Sequence, residues 1–335
     1  MTDEKNLGYM SSAGMEFGDP VNAIDAPYTG VRQSTDYSVT ETWWWCFHIP
    51  ELKLNGEIYF WRHPNLKTMS GGVWVFKGIK KHHLQCEHFN WLNFIPEPQM
   101  TQESLFCPEL NLRINIIEPL KKHEIIYQNP DSNTCLHLKT ESLQLPVLRS
   151  NNAHFEQVQH IRGDLTLAGE KLKVDCVSFR DRSWGEPRPE TAFAHPPTLW
   201  GVGGSSDGKR SFNFNSCDDP EKNPLVASYG LPKEAIFKTG WIFNDGDLRH
   251  IVDMSKLTHR GEDGLQASHY DIAMVDEKGD QYQLTGTILA AVMWSPWPNM
   301  AAFFGQLCEW TLDGESMYGE AQEIFFGDSL KRMIR

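Results

Sequence analysis

Long apolar runs are missing from this chain of 335 residues: no stretch of about 18 apolar residues occurs, so no helix is expected to cross a membrane. The opening MTDEKNLGYMSS has no basic patch followed by an apolar run and is not read as a secretory signal. Neither CxxC nor HExxH occurs, and no Cys/His pair has finger spacing, which removes the usual zinc scaffolds. There is no GxSxG elbow to present a serine nucleophile. Strands do not alternate with helices and no glycine loop could cradle a phosphate, which argues against a nucleotide-binding parallel sheet. Positive charge is also scarce. A formal net charge of −13 repels nucleic acid and anionic membrane, so neither is an expected partner. The seven cysteines are scattered and odd in number, and they read as reduced thiols in a cytoplasmic protein.

What the chain has in quantity is β patterning. Short segments alternate polar and apolar residues and are cut by turn residues. ELKLNGEIYFWRH reads as a hairpin turning at Asn55-Gly56. GDLTLAGEKLKVDCVSF turns at Ala168-Gly169, YDIAMVDEKGDQYQLTGTILAA at Glu277–Asp280, and CEWTLDGESMYGEAQEIFFG at Asp313-Gly314. GGVWVFKG, LNLRINIIEP and HEIIYQN read as further strands. PKEAIFKTGW and GDSLKRMIR are the only helical candidates, both short. Pro146 and Ser150-Asn151-Asn152 look like a junction. The expected organisation is a leader over 1–36, one β domain over 37–150 and a second over 151–335. Two antiparallel barrels or sandwiches side by side fit that division.

Three segments carry candidate chemistry. HHLQCEH (82–88) concentrates His and Cys, but lacks a fourth ligand for zinc; it reads as an exposed strand, and no metal is expected. HFEQVQH (154–160), as a strand, turns His154, Glu156 and His160 to one face: either a solvated face or the polar wall of a pocket. RDRSWGEPRPE (180–190) puts Arg180, Arg182 and Trp184 on one face and Asp181 and Ser183 on the other, with Gly185 and Pro187 ending the strand. This motif is either a salt-bridge staple or a site in which Asp181 delivers a proton. Guanidinium cannot donate one at neutral pH, while an indole can stabilise a developing cation. Near the end, MWSPWPN holds Trp294 and Trp297 as a candidate pocket rim.

HFEQVQHIRGDLTL followed by VDCVSFRDRSWGEPRPE resembles a bacterial family with two lipocalin-like domains, distantly similar to carotenoid 1,2-hydratase (hydroxyneurosporene synthase). Kievitone hydratase-like proteins and fungal decalin-forming Diels–Alderases belong to the same broad superfamily. The resemblance runs from about Tyr37 to Phe326 and is specific around 154–190. It implies an all-β chain of two lipocalin-like domains. In the hydratases the matching motif reads Asp-His-Asn-Trp-Gly, and its His and Trp are assigned to alkene protonation and cation stabilisation. Here Asp181, Trp184 and Gly185 match, and Arg182 replaces the histidine, so a proton donor would have to be Asp181, His154, Glu156 or a later residue. The closing LDGESMYGEAQEIFF resembles the last hairpin of these proteins, with Glu323 as the matching acid and Glu320 nearby.

The expectation is therefore an enzyme without cofactor that hydrates, dehydrates, isomerises or cyclises an alkene of an isoprenoid- or steroid-like molecule in a pocket between the two domains. Asp181, Glu156, His154 and Trp184 would act in catalysis, and Arg182, Trp294, Trp297 and Glu323 would hold the substrate. The alternatives are a non-catalytic binder of hydrophobic small molecules and, more remotely, a metal-dependent hydrolase.

Overall fold

The computed structural model describes residues 10–11, 35–148, 154–187, 194–295 and 300–333. Along the chain the strands are β1 (Met10–Ser11), β2 (Val39–Ile49), β3 (Leu54–His63), β4 (Thr68–Lys77), β5 (Ile79–Lys80), β6 (His88–Pro96), β7 (Gln99–Met100), β8 (Ser104–Cys107), β9 (Leu112–Glu118), β10 (Lys122–Asn129), β11 (Thr134–Ser142), β12 (Val147–Leu148), β13 (His154–Leu167) and β14 (Glu170–Pro187). They continue with β15 (Thr198–Gly204), β16 (Arg210–Ser216), β17 (Phe237–Asn244), β18 (Asp247–Arg260), β19 (Ala267–Asp276), β20 (Gln281–Trp294), β21 (Met300–Leu312) and β22 (Glu315–Phe326). The helical candidates form short helices at Lys233–Ile236 and Gly327–Met333.

Two compact units result. The first takes Met1–Ile49, Asn55–Phe76 and Cys86–Pro189; the second takes Pro50–Leu54, Lys77–Gln85 and Glu190–Arg335. The junction expected at 150–151 falls inside the first unit. β13 and β14 sit in the middle of its sheet, between β11 and β2, so the DRSWG motif belongs to the first unit and not to the second. Pairing between strands more than a hundred residues apart decides the boundary, and local composition at Pro146 does not report it.

The first sheet is a curled half-barrel, open at its edges, in the order β6-β4-β3-β2-β14-β13-β11-β10-β9-β8-β7. Its outer strands alternate cleanly: Leu112, Ile114 and Ile116 face the inside with His123, Ile125 and Tyr127, while their neighbours meet solvent. A polar bridge spans the curl, from His88 Nε2 on β6 to the Tyr127 hydroxyl on β10 at 2.7 Å. β2 and most of β3 and β4 are buried on both faces, which is why their sequences read as continuous apolar and aromatic runs.

The second sheet closes. Its order is β19-β18-β17-β16-β15-β22-β21-β20, and β19 pairs with β20 to complete an eight-stranded barrel; β5 adds to β20 in parallel. Side chains fill the interior. The Trp310 ring meets Phe212 and Phe214 edge-on at 5.4 and 6.0 Å and stacks on Tyr270 at 5.7 Å. Gly286 leaves room for this indole, since a Cβ there would lie 2.4 Å from Trp310 Cζ3.

Three expected hairpins form as read, with turns at Ala168-Gly169, over Glu277–Asp280 and at Asp313-Gly314. The Asn55-Gly56 turn does not. β3 runs straight through both residues, and the chain turns one step earlier, at Pro50–Leu52 and Lys53 with φ 48°. Gly56 serves packing: the Phe47 ring occupies the place of its missing side chain, 2.1 Å from an ideal Cβ. The segment 82–88 is no strand either, because His83–Gln85 forms a 3-10 turn. Among the described residues no helix is long and apolar enough to cross a membrane.

Candidate functional site

The regular geometry of an antiparallel ladder sorts the DRSWG segment. β14 pairs on one side with β13, His154 opposite Ser183, Phe155 opposite Arg182 and Glu156 opposite Asp181. On its other side it pairs with β2, Trp44 opposite Asp181 and Trp43 opposite Arg182. Residues directly opposite share a face, and successive residues alternate. One face therefore carries His154, Glu156, Asp181, Ser183, Thr42 and Trp44. The other carries Arg180, Arg182 and Trp184 with Phe155, Gln157, Trp43 and Trp45. The candidates expected in one pocket are split between two sides of one sheet.

The acid-bearing face is built as a row across five strands. Glu156 has no exposed surface, and its Oε1 lies 2.9 Å from His154 Nε2, whose side chain keeps 12% of its surface. Asp181, directly opposite Glu156, is half-buried. Beside Asp181 stands Trp44, whose indole N–H donates to Glu57 Oε2 at 3.0 Å. The other oxygen of Glu57 accepts the indole N–H of Trp74 at 3.1 Å. Glu57 is also fully buried. A carboxylate removed from water needs donors on its oxygens, and two indoles supply them here. Above the row the hydroxyls of Thr42 and Ser183 lie 2.5 Å apart.

The arginine-bearing face points into the curl of the half-barrel. The Arg182 guanidinium lies 4.0 Å from the centre of the Trp43 ring and 5.4 Å from that of Trp184. It donates to the Ser183 carbonyl and stands 3.4 Å from Glu41, which Arg62 holds at 2.9 Å. Arg180 donates to Gln157 at 2.7 Å and covers the Phe155 ring at 5.0 Å. Both arginines are fully buried. The staple expected at this motif joined Asp181 to the arginines; Arg182 instead pairs with Glu41. Alternation turns Asp181 away from both arginines.

The remaining candidates belong to the second unit. Glu323 on β22 is held by Arg260 through both oxygens, at 2.5 and 3.1 Å, inside the barrel wall. Burial opposes charge on Arg260, yet the Glu323 carboxylate outweighs it and raises the guanidinium pKa. Glu323 is therefore committed to an ion pair and does not sit open for a substrate. Glu320 is fully buried and accepts the Gln306 N–H at 3.0 Å. Trp294 is buried at the end of β20, and Trp297 lies outside the described residues.

Sequence reasoning missed Trp44, Glu57 and Trp74. The signal was available: NGEIYF and GGVWVF each place a residue with a polar group in an otherwise apolar strand, and the run Trp43-Trp44-Trp45 has to send its rings to alternate faces. Among the described residues no group of three or more His, Cys, Asp or Glu side chains is arranged to hold a metal ion.

The chain belongs to the family defined by the domain of unknown function DUF7064, whose model matches residues 31–323. No curated protein matches in sequence. Among solved structures it is similar to kievitone hydratase from Nectria haematococca, with 13% identity, coverage of 96% of this chain and 98% of that one, and a TM-score of 0.54. It is similar to CghA, a Diels–Alderase, with 13% identity, coverage of 96% and 98%, and a TM-score of 0.60. An AttH-type protein from Nitrosomonas europaea matches at 12% identity over 89% of this chain and 97% of that one, with a TM-score of 0.53. At such identities the likeness is one of fold: this is the double lipocalin-like β fold that a hydratase and a cyclase also use.

Proposed function

We propose that this DUF7064 chain is an acid–base enzyme that works without a cofactor on an alkene of a hydrophobic, isoprenoid- or steroid-like molecule, and that its reacting groups are Glu156, His154 and Asp181. One observation carries the reading: a carboxyl group with no exposed surface is bonded to a histidine that still reaches water, and a half-buried aspartate stands directly opposite. Such a pair can hold one proton between them and reload it from solvent. Glu156 would give that proton to one alkene carbon, forming a C–H bond from the π pair and leaving a cation on the other carbon. Trp44 borders Asp181 and offers an aromatic surface to that cation. Asp181 would then either take a proton from the neighbouring carbon, which gives isomerisation, or take a proton from a water as its oxygen bonds to the cation, which gives hydration. Trp184 and Arg182 act at one remove, by stiffening β14 from its other face.

Replacement of Glu156 by Gln should lower turnover by about 10²–10⁴-fold with ligand affinity retained. The assay is incubation with polyprenyl and steroid alkenes in heavy water, reading deuterium on carbon. Deuterium incorporation at the wild-type rate in the variant would sink the assignment.

A second reading has its own support. The indole N–H groups of Trp43 and Trp45 and the carbonyl oxygen of Gln159 are buried in the curl with no partner among the described residues. Those groups suit an oxygenated apolar ligand held without chemistry, as a lipocalin-like binder would hold it. Saturable binding of such a ligand with no turnover of any alkene favours this reading.

A further inference from the structure

Two cations face each other across the outer surface of the half-barrel, and the register gives each an acid on its far side, Glu124 opposite Lys139 and Asp175 opposite Arg162. Lys139 on β11 pairs directly with Arg162 on β13. Like charges in this register repel, and in a chain of net charge −13 the arrangement is not forced by a surplus of basic residues. The pair lies in a groove of about 630 Å³, formed by the first unit alone, whose wall also includes Lys122, His137 and His160. Three carboxylates line the same groove, and each has another partner. Glu124 accepts from Asn115 at 2.9 Å and contacts His137 at 2.8 Å; Glu141 is 3.2 Å from Lys122; Asp164 is 2.5 Å from Lys173. Lys139 makes no hydrogen bond or ion pair among the described residues. Arg162 turns Nε and Nη2 to the His160 ring at 3.0 and 2.8 Å, and its nearest carboxylate, Asp175, is 3.7 Å away and also contacts His160 at 2.5 Å.

We infer that this groove is a binding site for a small oxyanion, a phosphate or carboxylate group, seated between Lys139 and Arg162 with His137 and His160 at its sides. An oxyanion there would cancel the opposed charges, and Arg162, whose Nε and Nη2 meet His160, could bond it through Nη1. A cavity of this size accommodates a metabolite-sized molecule behind the charged group. The site uses none of the residues assigned above to the reaction.

The experiment uses the full chain with inorganic phosphate and, separately, acetate as probes. Binding is read from chemical-shift changes and from the melting temperature, at constant ionic strength kept with chloride. Phosphate or acetate should shift resonances of β10, β11 and β13 saturably and raise Tm. K139Q and R162Q should each weaken that binding by about tenfold or more. In the absence of anion, K139Q should melt close to the wild type, because it removes the repulsion from Arg162 together with the attraction to Glu124 opposite. Stronger binding of phosphate than of acetate assigns the site to phosphate-bearing molecules, and the reverse order assigns it to carboxylates. The inference is overturned if neither probe saturates, or if both variants bind as the wild type does. It is also overturned if K139Q melts well below the wild type, since Lys139 would then be a structural partner.

Discussion

Glu57 has no exposed surface, yet both of its oxygens receive an indole N–H. Glu57→Leu would leave Trp44 and Trp74 without that acceptor at a cost of about 1–3 kcal/mol for each buried donor left unpaired. Glu57→Gln keeps one acceptor and should lose roughly half as much. Urea unfolding followed by tryptophan fluorescence measures both, and a Leu variant as stable as the wild type would remove the clamp from the argument. At this scale much could be read from the sequence. Strand alternation alone separates Arg180, Arg182 and Trp184 from Asp181 and Ser183. What it also implies, and what the expectation of one pocket overlooked, is that residues on opposite faces of one strand do not line one cavity. The acid partner of Arg182 was out of reach, because Glu41 lies 141 residues earlier.

Hairpins show where local chemistry speaks and where packing overrides it. Ala168-Gly169 and Asp313-Gly314 combine φ 50° with φ 88°, the left-handed pair that a two-residue turn requires, so these turns are written in two letters of sequence. Asn55-Gly56 uses the same letters for a different purpose, as a gap beneath Phe47. The two glycines should answer substitution differently. Gly314→Ala meets open space and should cost only the backbone strain of about 1 kcal/mol. Gly56→Ala drives a methyl into the Phe47 ring and should cost more, about 1–3 kcal/mol, with part of the loss recovered in the pair with Phe47→Leu. Chemical denaturation of the three variants checks the order; equal losses would mean that Phe47 yields freely.

For the whole molecule, acid is the natural probe of stability. Burial lowers the pKa of His48 to about 4 and that of His88 to about 4. Unfolded, both would protonate near 6.5. Between about pH 6.5 and 4 the unfolded chain therefore binds more protons than the folded one, and stability falls as pH falls through that window. The loss is on the order of 3 kcal/mol for each histidine. Burial alone would raise Asp218, but Lys256, Thr258 and Asn223 hold it down to about 2, so a further loss follows as its pKa range is crossed from about 3.8 to 2. Urea unfolding at a series of pH values should show this slope, and His88→Gln should flatten it by about half. A profile flat from pH 7 to 4.5 contradicts the burial of both imidazoles.

The division of the chain has one more consequence, in the order of synthesis. Pro50–Leu54 and Lys77–Gln85 belong to the second unit, whose remaining residues begin only at Glu190. These two segments leave the ribosome while the rest of their barrel has not yet been made, and β5 must wait for β20, its parallel partner more than two hundred residues later. The first unit is in a similar position, since β2 waits for β14 to reach the middle of the sheet. The first unit, whose residues all precede Glu190, can be completed first, but two segments of the second must then stay unpaired beside it in the chain. A nascent chain that stalls before residue 190 holds two loose pieces of a barrel that does not yet exist.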